Sequence, residues 1–283
     1  MNPVKIITDS TCDLPLDLLA KNDVEMVPLN VTIGGSTYRD CLDITTPKLF
    51  ELVSERKELP KTSAVAPEVL MKVFKKYVDL GYDVVFMGIG SKLSSTYSSA
   101  MIVSQEFENR VFVLDSMNLS SAIGLQVLKM IDFRNAGLSA AEIAEKMKEI
   151  TPKTQCSFAI KTMDYLYKGG RCSGIKYFFG KILKICPIIK MKDCVLNVHK
   201  TPRGRFENAL DIMIKEFKEA YDAGKVDLGT VTITHACSDE YCEYIVQKLS
   251  EFMDPKYLLP TYAGCVISSH CGPKCIGILY IEK

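Results

Sequence analysis

Hydroxyl side chains cluster at one point of this sequence, where a predicted strand runs into a predicted helix. Residues 83–89, DVVFMGI, have the β-branched and aromatic composition of a buried parallel strand. Ser94, Ser95 and Thr96 follow in the first helical turn, where unpaired amides and the helix dipole favour an anion. The cluster predicts a site for a phosphate or a carboxylate, although hydroxyls at such a position also serve as simple helix caps.

A second pair of hydroxyls, Thr62 and Ser63, comes shortly before another predicted helix. That helix begins at Pro67, and Gly81 closes it. Its apolar residues recur at intervals of three and four positions, as in an amphipathic helix. Two hydroxyl-rich helix starts in consecutive segments could converge on one anion.

Three basic or imidazole side chains are further candidates for ligand contacts. Arg171 follows two glycines in a predicted turn, and its planar guanidinium suits a carboxylate or a phosphate, but it could equally be a plain exposed arginine. Arg203 lies near the start of a predicted long helix, where either an anionic partner or solvent must offset the helix dipole. His270 is predicted in a loop between two strands, as a site residue or as an ordinary turn histidine.

The segment after the first predicted strand, residues 4–8, is also polar. Asp9, Ser10 and Thr11 occupy the carboxyl end of that strand, where α/β proteins place their ligands. These three residues either line a site or form an Asx turn.

Strands and helices alternate along the first half of the chain. This alternation predicts a parallel sheet covered by helices on both faces, with a candidate boundary at Pro152. The other predicted strands there are 25–33 and 110–116, and the other predicted helices are 16–21, 46–56, 120–133 and 139–150. In the second half we predict strands at 155–160, 195–199 and 231–235 and helices from 206 and over 240–252.

Residues 175–192 interleave apolar residues with lysines. The pattern is typical of a lid helix or of an amphipathic segment that contacts a membrane. A core helix and strand with solvated lysines is an equally simple interpretation.

The composition excludes several classes of protein. The formal net charge is +1, and no basic run or RNA-binding aromatic motif is present, so we expect no nucleic-acid partner. The first ten residues form a strand pattern rather than a signal peptide, and no stretch of about 18 apolar residues could span a membrane. The eleven cysteines, an odd number without CxxC spacing, favour reduced thiols in a cytoplasm over a disulfide framework.

No metal centre is predicted. Two groups come closest to a set of metal ligands: His235 with Cys237 and Cys242, and His270 with Cys271 and Cys275. Neither group has the spacing of a zinc finger. We therefore interpret these side chains as buried or incidental thiols and imidazoles.

Five segments together resemble the DegV family of bacterial fatty-acid-binding proteins, some of which resemble the lipid-presenting subunit of fatty acid kinase. They are TDSTCDLP near the start, the TS pair at Thr62 and Ser63, GIGSKLSSTYSSA, DYLYKGGRCSG, and SSHCGPKCIGI near the end. They span nearly the whole chain in the expected order, which is more specific than any single segment.

The resemblance implies an α/β fold, with a larger amino-terminal α/β domain built on a mostly parallel sheet and a smaller carboxyl-terminal α/β domain. We expect these domains to cover residues 1–153 and 154–283, with residues 4–281 as one DegV-type unit. The resemblance also implies that a single long-chain, palmitate-like fatty acid is held in a buried tunnel, for lipid transport or fatty acid metabolism. A fatty acid kinase would receive the carboxylate, contact with a membrane surface would be transient, and no cofactor would be needed.

The resemblance also assigns site residues. Thr62 and Ser94 match the positions that hold the carboxylate. The secondary positions, near the head group or facing a partner, are Ser63, Ser95, Arg171, His270 and Arg203, the last resembling a kinase-docking position.

An enzyme that acts on a phosphate or an acyl ester is the competing hypothesis. It would use a serine nucleophile with His235 or His270 as base. The sequence contains no G-x-S-x-G elbow, and GIGSKLSS lacks the spacing of a Walker phosphate loop. We therefore predict no catalytic residues and keep a Ser/His-dependent hydrolase or phosphate-handling enzyme as the alternative.

Overall fold

The computed structural model describes residues 2–172 and 185–283. The strands in these ranges are β1 (Val4–Asp9), β2 (Val24–Val27), β3 (Asn30–Ile33), β4 (Ser36–Arg39), β5 (Lys61–Ser63), β6 (Asp83–Gly88), β7 (Val111–Asp115), β8 (Thr154–Ala159), β9 (Ile188–Lys192), β10 (Val195–Lys200), β11 (Val231–His235), β12 (Leu258–Tyr262) and β13 (Ile276–Ile281). The helices are α1 (Leu16–Lys21), α2 (Thr46–Arg56), α3 (Pro67–Asp79), α4 (Thr96–Ser104), α5 (Ser121–Asn135), α6 (Ala140–Ile150), α7 (Asp164–Gly169), α8 (Glu207–Asp222), α9 (Asp239–Ser250) and α10 (Cys265–Cys271).

A four-stranded parallel sheet, in the order β2-β1-β6-β7, lies at the centre of the first half of the chain. After β1 the chain moves to one edge of this sheet, at β2, and later returns to the other side of β1, at β6. The strand order therefore reverses between β1 and β6. Ligands of open α/β sheets bind at the carboxyl ends of the strands that flank such a reversal.

Alternate residues of β1 and β6 face opposite sides of this sheet. Ile6 and Met87 pack in a core shared with α1, α5 and α6, whereas Ile7 and Phe86 pack in a second core with α3 and α4. All four side chains are fully buried. Because both faces are covered, these strands read as continuous apolar runs, and the predicted parallel sheet with helices on both faces is confirmed.

The predicted strand over residues 25–33 is wrong as a single element. The chain forms β2 in the parallel sheet and then β3 in a separate three-stranded antiparallel sheet of order β4-β3-β5. Pro28 lies between the two strands. A proline has no amide hydrogen for a ladder and interrupts a strand at such a point.

A six-stranded sheet, in the order β10-β9-β8-β13-β11-β12, forms the second half. All neighbouring strands are antiparallel except β11 and β12. Helices α8 and α9 cover its outer face, where Phe217 and Ile245 join the same core as Ile233 and Ile278.

Helix α5 lies between the two large sheets. It contacts β1 and β6 on one side and β8, β11 and β13 on the other, and nine of its 15 residues are buried. The Ser121 hydroxyl is 2.8 Å from that of Thr232 in the second sheet. Because the helix is covered nearly all round, the two halves share one continuous core.

Most sequence-based elements agree with the structure, including the capping box that Ser139 and Glu142 form at the start of α6. The sheet changes at the turn Thr151–Lys153, and the domain division at 153/154 stays a prediction. Of the lysine-rich stretch 175–192, residues 175–184 lie outside the described residues, and 188–192 form the strand β9. The lid or membrane-contact interpretation therefore also stays a prediction.

Among the described helices, none combines the length and the apolar character that a membrane span requires.

A substitution at Gly88 tests how tightly the end of β6 is packed. A Cβ at this position would lie 2.2 Å from Oδ2 of the fully buried Asp9. Gly88→Ala should lower the free energy of unfolding by about 2 kcal/mol or more, measured by urea denaturation, because neither backbone nor carboxylate can move freely.

Gly229→Ala is the matched control. There the new Cβ would meet only the flexible ends of Asp227 and Lys129, each at 3.3 Å. The free energy of unfolding should change by no more than about 0.5 kcal/mol. Equal losses in the two variants would contradict tight packing at Gly88.

Candidate functional site

A cavity of about 290 Å³ lies just beyond the carboxyl end of β6. Its wall combines hydroxyl, basic and imidazole side chains with a larger number of apolar ones. The lining residues are Leu29, Thr62, Ser63, Ala64, Ile89, Leu93, Ser94, Ser95, Leu119, Leu166, Arg171, Leu196, Val266, Ile267, His270 and Cys271. Six of the seven predicted site residues are therefore brought together.

Thr62 and His270 are joined across 208 residues of sequence. Thr62 lies on β5, paired with Val31 of β3, and its Oγ1 is 2.8 Å from Nε2 of His270. Thr62 lies ahead of α3, as predicted, but on the strand β5, which ends three residues before the Ala66 cap. The prediction that His270 lies in a loop is wrong, since it belongs to α10, which the chain enters at Gly264 and leaves at Gly272.

Ser94 lies in the loop before α4. Its Oγ accepts a hydrogen bond from the amide of Thr96 at 3.3 Å, so the helix-capping interpretation has a contact in its favour. The Thr96 hydroxyl is 3.1 Å from that of Ser94 and also accepts from the amide of Val65 at 3.3 Å. Thr96 is fully buried and connects the two hydroxyl-rich segments directly.

The cavity is polar at its outer end and apolar at its inner end. At the outer end Ser94, Ser95 and Arg171 also line an open surface groove of about 510 Å³. At the inner end Leu119 and Ile267 form the wall, each only 6% exposed. A molecule with one polar end and one apolar end therefore fits this cavity in a single orientation.

Arg171 is exposed at the outer end, directly after α7. Its Nη1 donates to the carbonyl of Gly169 at 2.5 Å. Gly169 itself packs on the imidazole, since a Cβ there would lie 2.4 Å from Nδ1 of His270. Only glycine leaves room for the ring at this position.

Burial and the nearby charge of Arg171 lower the pKa of His270 to about 4. The imidazole is therefore neutral at physiological pH. Its Nδ1 is buried and makes no hydrogen bond with any part of the chain that the structure describes. Among the described residues, the ring hydrogen-bonds only to Thr62.

Buried carboxylates hold the segments that form the wall. Asp9 accepts hydrogen bonds from the amides of Ile89, at 2.9 Å, and Thr11, at 3.0 Å. Burial raises the pKa of Asp9 to about 6, although these hydrogen bonds act in the opposite direction. The Asx-turn interpretation of Asp9 is confirmed by its bond to Thr11, and Asp9 does not line the cavity.

Two further acids bind the start of α10. Asp13 accepts from the amide of Gly264 at 2.8 Å, and Asp40 accepts from the amide of Cys265 at 2.7 Å. Burial raises the pKa of both carboxyl groups. The first forty residues thus fix the helix that carries His270.

Arg203 is the exception among the predicted site residues. It is exposed, its carbonyl accepts from Asn208 at 3.0 Å, and it does not line the cavity. Sequence reasoning also missed the apolar wall, including Leu166 and Leu196, because an apolar pattern marks buried residues without distinguishing a cavity from a packed core.

In the part of the chain that the structure describes, neither His235 nor His270 hydrogen-bonds to a serine hydroxyl, the pair that the enzyme hypothesis uses. The hydrogen bond of His270 leads to a threonine, and Nδ1 of His235 accepts from the backbone amide of Ser238 at 3.2 Å. His235 does not line the main cavity. Over residues 2–172 and 185–283, no three His, Cys, Asp or Glu side chains are grouped as metal ligands.

Because the pKa of His270 is low, the free energy of unfolding should depend on pH. Its folded pKa, about 4, lies below the unfolded value of 6.5, so the unfolded chain binds a proton first as the pH falls. The stabilisation that neutral His270 contributes is therefore lost between pH 6.5 and 4. The stability advantage of wild type over His270→Gln should shrink by about 3 kcal/mol between pH 7 and 4.

Taking the difference between the two proteins cancels the opposite pH dependence of Asp9, since that residue is common to both. An NMR titration of the imidazole provides a direct check, with a midpoint expected near pH 4. A midpoint near 6.5 would show that the ring is not desolvated.

Comparison with known proteins shows similarity over the full chain. The family model described as "Uncharacterised protein, DegV family" matches residues 3–283. A DegV domain-containing protein of Clostridium acetobutylicum is 34% identical over 284 residues, with all of both chains covered.

Solved structures share the fold. A structure described as fatty acid binding of a DegV family protein from Thermus thermophilus superposes with a TM-score of 0.92 at 28% identity, covering 100% of both chains. DegV from Bacillus subtilis, described as a fatty acid binding protein, has a TM-score of 0.87 at 26% identity over 100% of both chains.

A stearic-acid-binding protein from Eubacterium ventriosum has a TM-score of 0.85 at 27% identity, covering 99% of this chain and 98% of that one. These matches confirm the predicted fold class. The family model covers nearly the whole sequence and the Clostridium acetobutylicum relative exceeds 30% identity. This chain therefore belongs to the DegV family.

Proposed function

We propose that this protein binds a single long-chain, palmitate-like fatty acid in the cavity, with the carboxylate at Thr62 and Ser94. One observation carries the proposal: the cavity has a hydroxyl-lined end that opens to solvent and a buried apolar end. The similar proteins from Thermus thermophilus and Bacillus subtilis are described as fatty acid binding, which supports the same ligand class here.

Ser94 is arranged to donate a hydrogen bond to a ligand. Because the Thr96 hydroxyl is fully buried and Ser94 Oγ is its one acceptor among the described residues, we assign the Thr96 hydrogen to Ser94 Oγ. Ser94 Oγ also accepts from the Thr96 amide, so both of its lone pairs are used. The Ser94 hydrogen is then left to donate to a carboxylate oxygen.

Contact with His270 leaves the Thr62 hydroxyl hydrogen available to donate to a ligand. The ring is neutral, and its buried Nδ1 has no partner among the described residues. We assign the proton to Nε2, because a buried N–H without an acceptor is rare in folded proteins. Nε2–H then donates to Thr62 Oγ1, and the Thr62 hydrogen faces the ligand.

The acyl tail supplies most of the affinity in this proposal. Burial of about 14 methylenes at roughly 0.8 kcal/mol each contributes on the order of 11 kcal/mol before the costs of association. A neutral hydrogen bond contributes only about 1 kcal/mol net. The hydroxyls therefore select orientation and chemical class, whereas the tail determines how tightly the acid is held.

We further propose that the protein is a carrier that uses no catalysis of its own and presents the carboxylate to a fatty acid kinase. The groove outside Ser94 and Ser95 supports this role, since Lys92, Ser98 and Arg171 also line it. Cations and hydroxyls there suit the phosphoryl group of an approaching nucleotide. We place the carrier in the cytoplasm, as its cysteine pattern predicts.

Replacement of Ser94 tests the head-group assignment. Ser94→Ala should weaken the binding of palmitic acid about tenfold, because a hydrogen bond to a charged group is lost. Binding of the matching alcohol should weaken about fivefold or less, since a neutral hydrogen bond contributes about 1 kcal/mol or less. Displacement of a fluorescent fatty acid measures both affinities.

Ser104→Ala is the matched control, because this serine is at the far end of α4 and its hydroxyl donates to the carbonyl of Met101. It should leave both affinities unchanged. Equal losses of acid and alcohol in Ser94→Ala would show that Ser94 is only a helix cap. A covalent adduct in denaturing mass spectra after incubation with activated esters would favour the enzyme instead.

Replacement of Arg203 tests whether the protein presents the bound carboxylate to a fatty acid kinase. With the palmitate-loaded protein, ATP and a fatty acid kinase from the same organism, Arg203→Glu should slow acyl phosphate formation about tenfold without changing palmitate affinity, because a rim charge acts mainly on association. Arg205→Glu, also exposed, is the control for the loss of one surface charge. An unchanged rate of acyl phosphate formation in Arg203→Glu would show that Arg203 does not take part in kinase docking. If wild type yields no acyl phosphate, the proposal that the protein presents the bound carboxylate to a kinase is contradicted.

A further inference from the structure

A small buried void lies behind the inner wall of the cavity. Its volume is about 20 Å³, room for about one water-sized group. Leu119, Ile267 and Cys271 line both the cavity and the void. These three side chains, which we call the neck, are each less than a tenth exposed.

The hydroxyl groups beside the void are already satisfied by the protein, and the third polar side chain there, His235, accepts from the amide of Ser238 through Nδ1. The Ser120 hydroxyl donates to Asp13 at 2.5 Å, and the Thr234 hydroxyl is 2.8 Å from that of Thr261. A water in the void would need two or more polar partners, and these groups are committed elsewhere. The void is therefore suited to an apolar group.

The rest of the wall is apolar and comes mainly from the second sheet. Phe158 and Leu279 contribute from β8 and β13, and the thiol of Cys156 lies beside them. All three side chains are buried. A methyl group here would gain dispersion contacts with these side chains, whereas an empty void forfeits them.

The three neck residues line the cavity on the side of the void, and none of them lines the groove at the polar end. A fatty acid whose carboxylate is at Thr62 and Ser94 would direct its tail toward Leu119, Ile267 and Cys271. We propose that the neck sets the maximum acyl chain length, with the terminal methyl group in the void behind Cys271. This inference rests on the proposed function and adds to it the residues that determine which fatty acids are bound.

Two variants fill the void from different sides. Cys271→Leu enlarges a side chain of the neck, whereas Cys156→Val fills the void from the sheet without lining the main cavity. Each should move the preferred ligand to a shorter acid. The affinity ratio of the longest acid that wild type binds well to the acid shorter by two carbons should fall about tenfold.

Leu119→Ala should act in the opposite direction, because it widens the neck and admits a longer tail. Cys242→Leu is the control for enlarging a buried cysteine, since Cys242 is in the outer core with α8 and α9 and lines neither space. It should leave the order of preference unchanged. Using two filling variants keeps the test decisive if one of them does not fold.

The measurement is native mass spectrometry of each protein in competition among lauric, myristic, palmitic, stearic and arachidic acids. Shifts to shorter acids in the filling variants, with none in Cys242→Leu, support the neck. An unchanged order of preference in folded Cys271→Leu or Cys156→Val overturns it and makes the void a packing defect. Wild type that binds none of these acids contradicts the proposed function itself, which is a distinguishable result.

Discussion

The arrangement of the cavity depends on buried carboxylates that bind the first amides of a short helix. Asp13 and Asp40 accept hydrogen bonds from Gly264 and Cys265, at the amino terminus of α10. Negative charge is favoured there by the unpaired amides and the helix dipole. A seven-residue helix is too short to be stable alone, so these contacts and its packing keep it in place. Asp9 fixes the amide of Ile89 on the opposite wall.

The carboxylates of the first forty residues bind both walls of the cavity. These contacts bring residues that are distant in sequence into one site. His270 reaches Thr62 only because α10 lies against β3 and β5. Desolvation then keeps the imidazole neutral, and a neutral ring can orient the threonine hydroxyl without adding a second buried charge. The site combines this hydroxyl with that of Ser94, whose position depends on the buried Thr96. Its polar groups are thus ordered by contacts within the protein itself.

The sequence correctly predicts helices and strands that have a clear local pattern. It does not predict elements whose conformation depends on tertiary contacts. Strands such as β6 and helices such as α3 have clear apolar periods, and they form as predicted. Helix α10 contains Val266 and Ile267, which have low helix propensity, so no local pattern distinguishes it from a loop. Its partners, Asp13 and Asp40, are more than 200 residues away. The grouping of Thr62 with Ser94 was predictable from the family resemblance, but the depth and polarity of the cavity depend on packing that no local pattern encodes.

A crystal structure of the protein grown with palmitic acid would show whether the cavity holds the acid and in which orientation. We expect continuous density for one acyl chain along the cavity, with carboxylate oxygens within hydrogen-bonding distance of Thr62 Oγ1 and Ser94 Oγ and with the tail against Leu119 and Ile267. An empty cavity at a saturating concentration of the acid would contradict the account. So would a chain bound with its carboxylate at the apolar end.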